Sequence, residues 1–249
     1  MSRPLIVIPA RYGSQRLKGK MLLAETGKPL IQHTWEVCRS VEGVDVVIAT
    51  DHEDIVEAAK GFGADVVMTD PDHPSGTARV AEAAKGREAS MVINCQGDEP
   101  EVEPDNIRKL IEGHEAAMRE PRAAFISTLA CPWPEELDAT NPNTVKVVTT
   151  AKGGEAEDAL YFSRSVMPFP RTREHRPKMH IGLYAFAPDC LQRFAALKPS
   201  GLAETESLEQ LTALESGERV AVIMVDRASP GIDTVEDYAA FVKRYKAKA

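Results

Sequence analysis

The residues most able to do chemistry lie in Pro9-Ala10-Arg11-Tyr12-Gly13-Ser14-Gln15-Arg16-Leu17-Lys18-Gly19-Lys20, where four cations fall within ten positions. The segment follows the apolar run Leu5-Ile6-Val7-Ile8, at the carboxyl end of an expected strand, where open α/β sheets bind ligands. Glycines let backbone amides approach an anion closely. Arg11, Arg16 and Lys20 can offset the charge of a triphosphate that would otherwise repel a nucleophile. Two readings fit these residues alone, a nucleotide-phosphate loop and a solvated basic turn. Five residues separate Gly13 from Gly19, and Met21 follows Lys20, so this is not a Walker A loop. No second glycine follows Gly13 at the dinucleotide-fingerprint spacing either.

Carboxylates supply the second element of chemistry. Asp98 stands in Gln96-Gly97-Asp98-Glu99-Pro100, just past another apolar run, and Asp233 stands in Pro230-Gly231-Ile232-Asp233-Thr234, ahead of the last expected helix. Two aspartates together with triphosphate oxygens and water would make a sufficient shell for magnesium. Each also has a plain structural reading: Asp98 as a strand-ending turn, Asp233 or Thr234 as a helix cap. His33, His52, His73, His114, His175 and His180 contain no pair at metal spacing, which argues against zinc.

The elements that must carry these residues follow from hydrophobic patterning. Leu5-Ile6-Val7-Ile8, Val44-Asp45-Val46-Val47-Ile48-Ala49 and Met91-Val92-Ile93-Asn94-Cys95 read as buried strands. Segments 29–41 and 54–62 have helical spacing, the second with Asp51 as its expected cap. Alternation of this kind predicts an α/β, doubly wound, mostly parallel sheet. In the second half, strands are expected over 124–129, 145–149, 181–186 and 220–225, and helices over 188–196, 205–217 and 234–245. That half reads as α+β, with the change of character near Pro121, giving portions of about 1–120 and 121–249 within a single domain.

Composition limits the function classes. The 249 residues are 43% apolar, enough for a sizeable core. A formal net charge of −8 argues against a general nucleic-acid binder, so any anionic ligand must be held locally. Cys38, Cys95, Cys131 and Cys190 are far apart and form no CxxC pair, so they read as buried hydrophobes. The apolar run at Leu5 stops at Pro9, too short for a signal segment or membrane span. A cytoplasmic protein without a membrane partner is expected.

Taken together, the motifs resemble the 3-deoxy-manno-octulosonate (Kdo) cytidylyltransferase, or CMP-Kdo synthetase, family over nearly the whole chain. The resemblance rests on Ile8-Pro9-Ala10-Arg11-Tyr12-Gly13-Ser14, Ala49-Thr50-Asp51-His52-Glu53-Asp54-Ile55, Asp72-His73-Pro74-Ser75-Gly76-Thr77 and Asn94-Cys95-Gln96-Gly97-Asp98-Glu99-Pro100. It continues through Asn141-Pro142-Asn143-Thr144-Val145-Lys146, Tyr161-Phe162-Ser163-Arg164, His180-Ile181-Gly182-Leu183-Tyr184 and Leu208-Glu209-Gln210-Leu211, ending at Gly231-Ile232-Asp233-Thr234. Their joint occurrence in family order makes the signal specific.

The resemblance implies a nucleotide-sugar transferase fold with an α+β portion for sugar binding and dimerisation. It further implies transfer of CMP from CTP to the anomeric hydroxyl of Kdo or a close ulosonic acid, for lipopolysaccharide synthesis. Arg11, Arg16 and Lys20 would bind CTP phosphates, with Lys20, Arg16, Asp98 and Asp233 catalytic. Ser75, Gly76, Thr77 and Gln96 would lie near cytidine, and Asp98 and Asp233 would hold Mg2+. Arg164, His180, Tyr184, Glu209 and Gln210 would contact the acidic sugar. An arginine fork suits a carboxylate, and mixed donors and acceptors suit hydroxyls. On residue type alone, His180 and Tyr184 also read as packing residues, Glu209 and Gln210 as a solvated helix face, and Lys146 as an anion contact or a strand cover. A homodimer is expected by resemblance only.

Departures bear on the acceptor. The family usually has proline where this chain has Lys18 and Met21, glutamate where Ala78 stands, and Ser-Pro-Leu-Glu where Ser200-Gly201-Leu202-Ala203 stands. An 8-amino relative of Kdo and a sialic-acid-like sugar are therefore alternative acceptors. A non-catalytic nucleotide-sugar-binding protein is the alternative from another class, and the presence of both aspartates disfavours it.

Overall fold

The computed structural model describes residues 2–13, 17–150, 156–172 and 177–248. Its chain divides into two units, Met1–Pro104 with Ser229–Ala249, and Asp105–Ala228. The sequence pattern draws its division near Pro121; the structure divides the chain earlier and returns the C-terminal segment to the first unit.

In the first unit, β1 (Leu5–Ala10), β2 (Asp45–Thr50), β3 (Asp65–Met68) and β4 (Val92–Asn94) lie side by side in the order β3-β2-β1-β4. Every pairing among them is parallel. All six residues of β1 are buried, as a parallel strand covered on both faces requires, so its sequence is a continuous apolar run without alternation. The intervening helices are α1 (Leu30–Arg39), α2 (Glu53–Gly61) and α3 (Gly76–Ala84). Chain order reverses between β1 and β4, because β2 and β3 extend to one side of β1 and β4 to the other. The crevice at such a switch point is where doubly wound sheets take ligands.

The second unit opens with α4 (Pro104–Arg119), followed by β5 (Ile126–Pro132), β6 (Lys146–Thr149), β7 (Ala156–Ser163) and β8 (Lys178–Phe186). After these come α5 (Pro188–Ala195), α6 (Gly201–Glu206), α7 (Gln210–Glu215) and β9 (Val220–Met224). The strand order is β8-β5-β9-β7-β6, mostly antiparallel, and β6 also pairs with β8 through two residues, so the sheet curls onto itself. The single helix expected over 205–217 is instead two helices. Ser207 adopts a left-handed conformation (φ 52°) that ends α6, and Glu209 starts α7.

The chain then re-enters the first unit as α8 (Val235–Lys248). Tyr238, Phe241 and Val242 of this helix pack with Leu30 and Ile232, and Arg244 pairs with Glu101. Among the described residues no helix is long and apolar enough to cross a membrane.

Candidate active site

The loops leaving β1 and β4 meet at the switch point. Gly97 is required there by close approach. A Cβ on it would come within 3.0 Å of both the Pro9 carbonyl oxygen and Ile31 Cδ1, and 3.1 Å from Met21 Sδ. The Gly97 amide donates to Pro9 O at 3.3 Å, and the Thr34 hydroxyl donates to Gly97 O at 2.9 Å. These contacts fix the turn that presents Asp98.

Lys20 begins a short 3-10 turn (Lys20–Leu22). Its buried ammonium donates to Asp98 Oδ2 at 2.6 Å and to Ile232 O at 2.7 Å, with Asp233 Oδ1 at 3.6 Å. The Ile232 amide in turn donates to Asp98 O at 2.9 Å, so the C-terminal segment is laced to the β4 turn. Thr234 and Asp237 form a reciprocal cap on α8: the Asp237 amide donates to Thr234 Oγ1 at 3.1 Å and the Thr234 amide to Asp237 Oδ2 at 2.9 Å. The cap hydroxyl is thus Thr234's. Asp233 lies beside Lys20, with its side chain 52% exposed.

Glu99 completes the cluster. Its carboxyl is pushed up to about 8, chiefly by burial and then by the charges of Asp98 and Asp233, against the opposing effect of Lys20. Asp98 and Asp233 place two carboxylates at the Lys20 ammonium, with the Glu99 carboxyl buried nearby, and hard oxygen donors of this kind suit a divalent cation. Among the described residues no group of three or more His, Cys, Asp or Glu is arranged to enclose a metal. Asp98 and Asp233 offer carboxylate oxygens of the kind that hard divalent cations bind.

The residues expected near cytidine come together around α3. Ser75 caps the helix, its Oγ accepting the Ala78 amide at 3.2 Å. Gln96 Nε2 donates to Asn94 Oδ1 at 3.0 Å, and Asn94 Nδ2 donates to Thr77 Oγ1 at 3.2 Å. A Cβ on Gly76 would touch the Gln96 amide at 3.5 Å. Arg11 is exposed, while Arg16 lies outside the described residues.

In the second unit, the Arg164 guanidinium is committed to three backbone carbonyls: Glu206 at 2.6 Å, Pro142 at 2.9 Å and Ser207 at 3.2 Å. His180 is buried, and burial lowers its pKa to about 3. Its Nε2 meets Thr128 Oγ1 at 3.0 Å, and Thr128 also donates to the β8 carbonyls at the bulge in the β5–β8 pairing. Tyr184 is buried too; burial, followed by the Glu209 charge, drives its phenol well above the usual range. Gln210 is 2% exposed and its Nε2 has no partner among the described residues, so it is no part of a solvated helix face. Lys146 is fully buried, donating to Asn141 O and Arg164 O at 2.8 Å each. It ties loops together beneath the strand.

A family model described as cytidylyltransferase matches residues 5–220. The chain belongs to the cytidylyltransferase family. Its relatives include the 3-deoxy-manno-octulosonate cytidylyltransferase of Escherichia coli, 43% identical over 94% of this chain and 92% of that one. The enzyme of the same description from Chloroherpeton thalassium is 43% identical over 99% of this chain and 98% of its own length. A CMP:2-keto-3-deoxy-manno-octonic acid synthetase solved with CTP superposes with a TM-score of 0.90 at 40% identity, covering 100% of both chains. The α/β nucleotide-sugar transferase fold expected from the motifs is the fold observed.

Two features of this cytidylyltransferase escape sequence reasoning. Glu99 carries no spacing signal, because the charges that perturb it converge only when the C-terminal segment returns. Asp51 does not cap α2: the cap is His52, whose Nδ1 accepts the Asp54 amide at 3.2 Å. The Asp51 carboxylate is used elsewhere, accepting the Tyr12 amide and pairing with Arg79.

Proposed function

We propose that the chain transfers a cytidylyl group from CTP to the anomeric hydroxyl of 3-deoxy-manno-octulosonate, releasing pyrophosphate and yielding the CMP-sugar. The observation that carries this reading is the Lys20 ammonium lodged between Asp98 and Asp233 at the switch point. A cation site with carboxylate walls beside a basic loop suits a metal-bound triphosphate. The full-length similarity to a synthetase solved with CTP supports the same nucleotide.

In this mechanism Arg11, Arg16 and Lys20 bind the phosphates and offset their charge, so the incoming hydroxyl meets less repulsion at the α-phosphorus. Ser75, Gly76, Thr77 and Gln96 receive the cytidine. Asp98 and Asp233 would hold magnesium, which when bound would supply Lewis acidity at the α-phosphate and charge relief for pyrophosphate. The attack is in line and forms no covalent enzyme intermediate, so positioning and charge neutralisation carry the rate. The acceptor is assigned to Arg164, His180, Tyr184, Glu209 and Gln210. Gln210 offers its unpaired donor to a hydroxyl, Glu209 accepts, and Arg164, His180 and Tyr184 shape the wall. A cytoplasmic homodimer serving lipopolysaccharide synthesis completes the proposal, by resemblance to the family.

The test is pyrophosphate release from purified protein with CTP, magnesium and 3-deoxy-manno-octulosonate, with no-sugar and EDTA controls. The 8-amino analogue and a sialic acid are run in parallel. Release that needs sugar and metal together and is fastest with 3-deoxy-manno-octulosonate is expected. Preference for another acid would overturn the acceptor assignment, and CTP binding without release for any sugar would overturn the catalytic reading.

A further inference from the structure

The block around Asp51 and His52 has no part in the reaction described above, yet it grips the phosphate loop at two points. Asp51 Oδ1 accepts the Tyr12 amide at 3.0 Å. Asp51 Oδ2 accepts Arg79 Nη2 at 3.0 Å, and Arg79, only 4% exposed, also donates to the Thr69 hydroxyl. A buried arginine thus fixes the carboxylate from behind. The Tyr12 ring lies on the His52 imidazole with centroids 3.8 Å apart and planes within 13°. His52 is itself held by the Asp54 amide.

Tyr12 reaches the other limb of the loop as well. A Cβ on Gly19 would sit 3.9 Å from its ring, and Gly19, at φ +65°, leads directly into Lys20. One aromatic side chain therefore touches the outgoing limb through its own backbone and the returning limb through its ring. The chain neighbours of those two contacts are Arg11 and Lys20, so ordering the two limbs also orders the backbone that carries these cations.

We propose that Tyr12, clamped by Asp51 and His52, is a positioning residue that sets the two limbs of the phosphate loop before CTP arrives. The proposal rests on reading residues 11–20 as the CTP-phosphate loop. Ordering done in the free protein is not charged to binding. Loss of the ring should therefore weaken CTP capture and leave the bound, reacting complex little altered.

The test compares Tyr12→Ala, Tyr12→Phe and His52→Ala with the wild type. CTP affinity is read by calorimetry, kcat and KM by pyrophosphate release, and amide exchange of the free protein at Tyr12 and Gly19. Tyr12→Ala and His52→Ala should weaken CTP binding and raise KM by about tenfold, the scale of a lost ring stack, with kcat within about twofold. Exchange at both amides should quicken. Tyr12→Phe keeps the stack and should restore wild-type values. Unchanged exchange in Tyr12→Ala would overturn the clamp, and faster exchange with unchanged CTP affinity would overturn its role in binding. If the wild type binds no CTP, the loop reading and the binding role fall together, while the exchange measurement still decides whether the clamp exists.

Discussion

At the residue scale, a buried ammonium such as Lys20 is tolerated only when carboxylates and carbonyls replace its water. Asp98 and the Ile232 carbonyl do so, while Asp233 stands farther off and more exposed. The two aspartates should therefore respond differently to the same change. Asp98→Asn and Asp233→Asn should each cut metal-dependent pyrophosphate release on the order of 100-fold or more, through weakened cation binding. Only Asp98→Asn should also lose stability, by roughly 1–3 kcal/mol, because it removes Lys20's nearest charge. Urea unfolding beside the activity assay separates the effects, and full metal-dependent turnover in both folded variants would remove them from the metal site. Asp98 and Asp233 were picked out in the sequence by their places after an apolar run and before a helix, each with a turn or cap reading beside it. Only the returning C-terminal segment shows that both stand at Lys20. The setting of the Arg164 fork was not legible there, because its guanidinium is spent on carbonyls whose positions depend on the break between α6 and α7.

At the element scale, continuous apolar runs made the parallel strands readable, since strands buried on both faces have nothing to alternate with. Periodicity alone does not pick out α3, whose buried residues mix three alanines with Thr77, Arg79 and Val80 and which starts on a glycine. Nor does it anticipate Ser207 in a left-handed conformation, which splits the expected helix over 205–217. The seating of α4 on β9 depends on a missing side chain. A Cβ on Gly113 would lie 2.3 Å from Ile223 Cγ1, far inside contact distance. Gly113→Ala should raise helix propensity yet cost about 1–3 kcal/mol through overpacking. A paired Ile223→Ala, which removes the clashing Cγ1, should cost less in the Gly113→Ala background than in the wild type in urea unfolding. A Gly113→Ala protein at least as stable as wild type would refute the packing argument.

At the scale of the whole molecule, buried histidines tie stability to acidity. Burial lowers His114 to about 4 and His180 to about 3, from an ordinary value of 6.5. Below pH 6.5 the unfolded chain takes up protons that the native rings refuse, so stability falls with decreasing pH until the native values are reached. The slope is about 1.4 kcal/mol per pH unit for each fully charged ring. Urea midpoints should drop between pH 6.5 and 4, less steeply in His114→Gln, and equal slopes would sink the assignment. The order of the chain has another consequence, for synthesis on the ribosome. The second unit is one uninterrupted stretch and can emerge whole, whereas the first must wait for its closing segment. Ile232 and Asp233 are translated after the whole second unit, so a message cut short before them yields a protein with the proposed phosphate loop and Asp98 but without two of the groups around Lys20. Premature termination would thus leave the proposed nucleotide site incomplete even when most of the sheet has been made.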